Sequence, residues 1–207
     1  MTRVYLLRHG ATAANREVPY RLQGRGSNRP LDDVGLRQAE AASRVLAPVP
    51  LRGLYSSPLL RAIQTARAIG LPHGIEPSPV PNLIEGEIGR WEGLTWDEAA
   101  MEDPAWHARF MADPGTVPYP HGESFLDVQR RATAAISDLV ARHPGEAIAI
   151  VGHNILNRAY LAPLMGLPIE KARQIRQSNC GINVLDVETD GRSTLITLNG
   201  AFHLEGL

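Results

Sequence analysis

The chain has 207 residues, 43% hydrophobic and 21% charged, which excludes a disordered chain and leaves ample apolar material for a core. A formal net charge of −1 excludes a broad electrostatic surface for nucleic acid or membrane. The single cysteine, Cys180, excludes an intrachain disulfide and a thiolate zinc cluster. The longest apolar runs, Val4–Leu7 and Ala147–Val151, fall far short of the ~20 residues of a membrane span. Neither suits a signal-peptide core, so a cytoplasmic location is expected. Among 21 basic residues only Lys171 is a lysine. Base composition accounts for most of the arginines; a few are expected to serve as planar forks for phosphate or carboxylate.

In chain order, Arg3–Arg8 has the apolar, β-branched pattern of a buried strand and runs into Arg8-His9-Gly10. Residues 10–31 have no period and read as loop. Val34, Ala39, Ala42, Val45 and Leu46 recur at helical spacing from about Asp32, and Pro48 and Pro50 end that helix. Gly53–Ser56 is a short strand, and Pro58 suits the first turn of a helix running to Ile69. Ile75–Val80 reads as a third strand, kept short or at an edge by its prolines. Thr95-Trp96-Asp97-Glu98 is a capping box, and Phe125 to Val140 gives a long amphipathic helix ending near Arg142. Ala147–Val151 has the continuous apolar character of a central parallel strand, with a helix after it to about Met165. Ile182–Val187 and Ser193–Leu198, split by Glu188-Thr189-Asp190-Gly191, read as a hairpin. The expected fold class is α/β: a three-layer sandwich, its sheet mostly parallel with an antiparallel edge and helices on both faces. One domain over 1–207 is expected, with a helical insertion at roughly 81–122.

Ligands of open α/β sheets sit at the carboxyl ends of the strands. Three such ends carry Arg8-His9-Gly10, Ser56-Ser57-Pro58 with Arg61 close behind, and Gly152-His153-Asn154. Two histidines and two arginines converging on one mouth suit a dianionic phosphoryl group, with a neutral imidazole as nucleophile. A carboxyl group must protonate the leaving alkoxide, and Glu85, Glu87 and Glu92 share one glycine-rich loop from which it can come. His73, His107, His121 and His143 are expected to be solvated, and His203 to cap or pack the C-terminal segment. Trp91, Trp96 and Trp106 are expected to pack or to wall a pocket. Arg16, Arg21, Arg25 and Arg29 fit either a solvated loop or a grip on an acidic substrate. No metal site and no P-loop or G-x-S-x-G element is present in the sequence.

Arg8-His9-Gly10-Ala11-Thr12 with Asn15 resembles the phosphohistidine signature of the histidine phosphatase superfamily, in its phosphoglycerate-mutase-like branch. The resemblance runs on through Gln23-Gly24, Pro30-Leu31, Ser56 to Ala66, Leu83-Ile84-Glu85, Trp91-Glu92-Gly93, Gly122-Glu123-Ser124 with Arg130, Gly152-His153 and Leu198-Asn199. It implies that His9 becomes phosphohistidine, that Arg8, Arg61 and His153 hold the phosphoryl oxygens, and that Glu85 is the acid and then the base. Asn15, Gln23, Gly24 and Asn154 would line the substrate pocket, with no metal and no cofactor. Ala11, Asn28 and Asn154 depart from the residues common at their positions, and the Gly24–Pro30 segment is one residue longer than usual.

The expected function is thus a phosphatase, a phosphoric monoester hydrolase acting through phosphohistidine. The alternatives are a phosphoglycerate-type mutase using the same histidine and, behind it, a non-catalytic phospholigand sensor. The expected partner is a small phosphorylated metabolite, with at most a second copy of the chain in a homodimer, no nucleic acid and no membrane.

Overall fold

A computed structural model describes residues 1–188 and 190–207, so Thr189, in the expected hairpin turn, lies outside the described residues. The strands are β1 (Thr2–Arg8), β2 (Leu51–Ser56), β3 (Ser78–Pro79), β4 (Ala147–Gly152), β5 (Ile182–Val187) and β6 (Ser193–Gly200). The helices are α1 (Ala13–Arg16), α2 (Asp33–Leu46), α3 (Leu60–Gly70), α4 (Trp96–Glu102), α5 (Pro104–Ala112), α6 (Phe125–Ala141) and α7 (Asn154–Leu164). Pairing gives one sheet in the order β3-β2-β4-β1-β5-β6. The four strands β3, β2, β4 and β1 run parallel, and β5 pairs antiparallel with both β1 and β6.

Side-chain alternation along β4 and β1 builds the three layers. Val4, Leu6, Ile148 and Ile150 pack with α6 and α7, through residues such as Val128, Ile136 and Leu156. Leu7, Ala149 and Val151 face the other way onto α2 and α3, against Ala39, Ala42, Ala62 and Ala66. Small residues on that second face let the two helices lie close to the sheet and to each other.

The capping chemistry appears where the sequence places it. Asp32 Oδ1 accepts from Gly35 N at 2.8 Å to start α2, and Thr95 and Glu98 exchange bonds of 3.1 and 2.8 Å to start α4. Two elements differ from the expectation. The loop 10–31 contains the single turn α1, too short to show a period, held by a Thr12–Asn15 capping box. The third strand shrinks from Ile75–Val80 to Ser78–Pro79 at the sheet edge, because Pro77, Pro79 and Pro81 offer no N–H to a ladder.

The segment between β3 and α6 closes over a cluster of aromatic rings. Trp91 is fully buried and meets Phe110, Tyr119 and Trp96 at centroid separations of 5.1, 5.7 and 5.9 Å. His107 packs on Trp91, and His143 bridges Tyr55 and Glu146 at 2.6 Å each, so neither is the solvated histidine expected. The rings they pack against, Trp91 and Tyr55, lie far from them in sequence, so no local pattern marks either histidine as buried. Among the described residues no helix is long and apolar enough to cross a membrane.

The amino end of α2 lies directly on the turn after β1. Asp32 N donates to Ala11 O at 3.0 Å, and a Cβ on Gly35 would stand 2.0 Å from that same oxygen. Both sides of the approach are main chain, so nothing flexible can give way. Gly35→Ala should therefore lower stability by about 1–3 kcal/mol, the usual range for an overpacked site. The check is the guanidinium midpoint; a value within error of wild type would show that α2 can move off the turn freely.

Candidate active site

The register of β1 against β4 creates the centre. Arg8 pairs with Gly152, so the next residues, His9 and His153, emerge side by side from adjacent strands. Adjacent strands lie about 4.8 Å apart, and the two imidazole centroids are 5.1 Å apart. His9 N donates to Gly152 O at 3.1 Å, which ties the two strand ends together. Arg61, in the first turn of α3, reaches the same point, and Glu85 arrives on the loop after β3. All four parallel strands thus contribute at their carboxyl ends. His9, Arg61, Glu85 and His153 are each at most 3% exposed.

Hydrogen bonding assigns the His9 tautomer. Nδ1 lies 2.7 Å from Gly10 O, which can only accept, so Nδ1 carries the proton and Nε2 keeps its lone pair. Arg61 Nε donates to that Nε2 at 3.3 Å. The rest of the Arg61 fork donates to main-chain oxygens, Nη1 to Ser27 O and Nη2 to Gly24 O. Burial lowers the Arg61 pKa to about 10. Burial, and then the charges of Arg61 and Arg8, hold His9 well below the ordinary histidine value. His153 is held down likewise, by burial first and then by Arg61. Neither ring nitrogen of His153 has a hydrogen-bond partner among the described residues. Arg8 donates from Nη1 to Gln177 O at 2.8 Å, and its buried Nε is unpartnered.

Glu85 is gripped by neutral groups. Its Oε1 accepts from Gly86 N and Leu156 N, and its Oε2 from Ile155 N, at 2.9–3.1 Å. The last two amides belong to the first turn of α7, directly after His153. Glu87 and Glu92, the other carboxylates of that loop, are engaged elsewhere. Glu87 pairs with Arg25, and Glu92 accepts from Gly24 N at 2.8 Å and Gly26 N at 3.2 Å.

Arg8 and Glu85 also line a cavity of about 420 Å3, together with Gln23, Asn154, Tyr20 and Trp96 among others. Asn15 and Gly24 do not line this cavity and lie on the His9 side of it. Asn15 Oδ1 accepts from Thr12 N and from Asn179 Nδ2, and Gly24 O accepts from Arg61. Asn28 Oδ1 accepts from Leu60 N at 2.7 Å, at the start of α3. Three of the four arginines of the first loop are tied to nearby carboxylates: Arg16 to Asp32, Arg21 to Glu17 and Glu98, Arg25 to Glu87.

Sequence reasoning passed over Arg131 in favour of its neighbour. Arg130 is 70% exposed and reaches only Asp127. Arg131 turns inward: Nε and Nη2 fork onto Glu123 at 2.8 and 3.0 Å, while Nη1 and Nη2 donate to Ile84 O and Glu85 O. It therefore sets the main chain that carries Glu85. The helical period carried the signal, since a residue three after Val128 shares its inward face.

Both active-site imidazoles are expected to be neutral at pH 6.5, where an ordinary histidine is half protonated. Between the folded and the unfolded pKa the unfolded chain binds more protons, so these two residues make stability fall as pH drops through about 6.5. Nitrogen-15 imidazole shifts titrated from pH 8 to pH 5 read this directly. Half-protonation of either ring at or above pH 6.5 would contradict the buried, cation-flanked geometry.

The comparisons agree with this architecture over almost the whole length. The family model of the histidine phosphatase superfamily, branch 1, matches residues 4–199. A bifunctional protein of Mycobacterium tuberculosis is 32% identical over 204 residues, which cover 98% of this chain and 55% of that protein; the chain thus spans about half the length of that curated relative. The probable phosphoglycerate mutase GpmB of Yersinia pestis is 30% identical over 188 residues, covering 91% of this chain and 86% of the relative. Among solved structures, Bacillus stearothermophilus YhfR superposes with a TM-score of 0.90 at 30% identity, over 99% of this chain and all of that one. The mycobacterial glucosyl-3-phosphoglycerate phosphatase gives 0.83 at 29% identity, over 96% of this chain and 98% of that one. The chain belongs to the histidine phosphatase superfamily, branch 1.

Proposed function

We propose that the protein is a phosphatase that hydrolyses a small phosphorylated metabolite through a phosphohistidine on His9. The observation that carries this reading is the His9 ring itself: Nδ1 donates to Gly10 O, and the Nε2 lone pair faces the Arg61 guanidinium inside a buried cationic cluster. Such a ring is neutral and nucleophilic at neutral pH, and donors positioned in advance surround the group it would attack. Arg8, Arg61 and His153 meet the equatorial phosphoryl oxygens. The His9 Nε2 lone pair forms the N–P bond as the ester P–O bond breaks, and Glu85 delivers a proton to the departing alkoxide. Glu85 then takes a proton from water, whose oxygen attacks phosphorus; the N–P bond breaks and inorganic phosphate leaves. No metal ion or organic cofactor enters these steps. Gln23 and Asn154, on the cavity wall, are the nearest candidates to touch the remainder of the substrate.

His9→Ala should abolish turnover, and acid-labile, base-stable phosphate should be recoverable from quenched wild-type enzyme during turnover. Arg61→Ala and His153→Ala should each lower kcat by ~10²–10³-fold, the usual cost of one positioned donor. Phosphate release by His9→Ala within tenfold of wild type would overturn the covalent route. Conversion of 3- to 2-phosphoglycerate at a rate exceeding phosphate release would reassign the chain to the mutases, and phosphate binding without turnover would make it a sensor.

The role of Glu85 is read from leaving groups. An alkoxide needs a proton as the P–O bond breaks, whereas p-nitrophenolate departs readily without one. Glu85→Gln should therefore slow single-turnover phosphorylation of His9 far more with an alkyl phosphate than with p-nitrophenyl phosphate. Equal slowing of both, with Glu87→Gln or Glu92→Gln discriminating instead, would move the acid to that neighbour.

A further inference from the structure

The cavity that meets Arg8 and Glu85 also contains two cations with no evident task in the reaction just described. Arg158 stands on α7, five residues after His153, and donates from Nε to Ile175 O at 2.7 Å. Arg173 lies on the turn Ile169–Gln174, with its guanidinium 4.5 Å from the Trp96 ring centroid and 5.7 Å from that of Phe110. Nη1 of Arg173 also approaches Met111 Sδ at 2.9 Å. Both line the cavity, both are partly buried, and neither forms an ion pair among the described residues.

Like charges partly removed from water repel, and burial together with Arg8 and Arg173 lowers the Arg158 pKa. Such an arrangement is costly for a fold unless an anion offsets it. Among the described residues, Glu85 is the one carboxylate lining the cavity against the guanidiniums of Arg8, Arg158 and Arg173. Arg173 also rests against the Trp96 ring, and its Nε and Nη2 have no hydrogen-bond partner among the described residues, which suits a bidentate anion. Trp96, Tyr119 and Phe125 supply apolar wall within the same cavity. At about 420 Å3 it falls in the ~300–1,000 Å3 range of small-molecule sites, roomy for more than a transferred phosphoryl group.

We propose that Arg158 and Arg173 form a second anion subsite, which selects phosphomonoesters whose alcohol portion carries a further acidic group, a carboxylate or a phosphate, across an organic spacer. The proposal rests on the phosphatase reading for its first subsite. Its specificity residues come from α7 and the Ile169–Gln174 turn, with Trp96 of α4 as the platform that orients one of them.

Calorimetric titration with non-hydrolysable phosphonates tests binding apart from turnover. The probes are alkylphosphonates of several chain lengths and their ω-carboxylate and ω-phosphonate counterparts. At the best length, an acidic end should improve the wild-type Kd by about tenfold or more, as expected for charge-assisted contacts. That gain should disappear in Arg158→Gln/Arg173→Gln and return in part in Arg158→Lys/Arg173→Lys; the acid with the larger gain identifies the natural group. The proposal is overturned if no acidic end improves the wild-type Kd by threefold, a result that needs no variant, or if the gain survives the glutamine pair. Should the acidic phosphonates bind as stated while none of the matching phosphate esters is hydrolysed, the phosphatase reading falls and the subsite stands.

Discussion

A guanidinium buried without a carboxylate is the constraint on which the rest of the molecule depends. Arg61 has no exposed surface, and its partners are two carbonyl oxygens and the ring nitrogen of His9. A carboxylate in that position would reduce the cost of burial, but it would also cancel the field that a phosphoryl dianion has to meet. Carbonyl dipoles satisfy the N–H groups and leave the charge standing. The strain is visible in the lowered Arg61 pKa and in two histidines held neutral beside it. One arrangement thus opposes stability and, on the proposed mechanism, leaves His9 neutral for attack.

The surrounding fold keeps this charge in place. The 24–27 loop that presents Gly24 O and Ser27 O is tied by Glu92, which binds Gly24 N and Gly26 N from the far side. Gln38 and Thr65 hold the turn after β1, accepting from Ala11 N and Gly10 N. Asn179 donates to His9 O, and Asn183 joins Leu6 O to a buried amide network with Gln177, whose own carbonyl accepts from Arg8. These side chains come from α2, α3 and the segment around β5. His9 and His153 directly follow parallel strands, and amides and hydroxyls from the neighbouring elements fix the main chain around them.

What could be read in the sequence follows from how local each signal is. The strand ends at Arg8-His9 and Gly152-His153, the helix start near Asp32, the capping box at Thr95 and the long helix ending near Arg142 are written in adjacent residues. Their positions needed no tertiary information. The prolines of the third strand announce a short or edge strand, but how short depends on pairing with β2, which leaves only Ser78–Pro79. Asn15 is named by the family resemblance alone, and its side chain caps the turn that begins at Thr12 while accepting from Asn179, a contact that no local pattern shows. Arg130 and Arg131 are indistinguishable as residue types, and only the phase of α6 relative to Val128 separates the exposed one from the clamp. His143 and His107 escape local pattern in a similar way: the rings they pack against, Tyr55 and Trp91, are brought close only by the folded sheet and the aromatic cluster.

The treatment of Glu85 obeys the same rule as that of Arg61. Glu85 is oriented by three backbone amides, two of them from the start of α7. The arginine that serves its loop, Arg131, is displaced by one step: it grips Ile84 O and Glu85 O and sends its charge to Glu123. Main-chain groups thus hold two arms of the Arg61 fork and both oxygens of Glu85, while the charge of Arg131 goes to Glu123. The amides that orient Glu85 follow directly after His153, so the end of β4 fixes the separation between His153 and Glu85. A displacement of α7 along its axis would move both together, which preserves their relative geometry while changing their reach into the cavity.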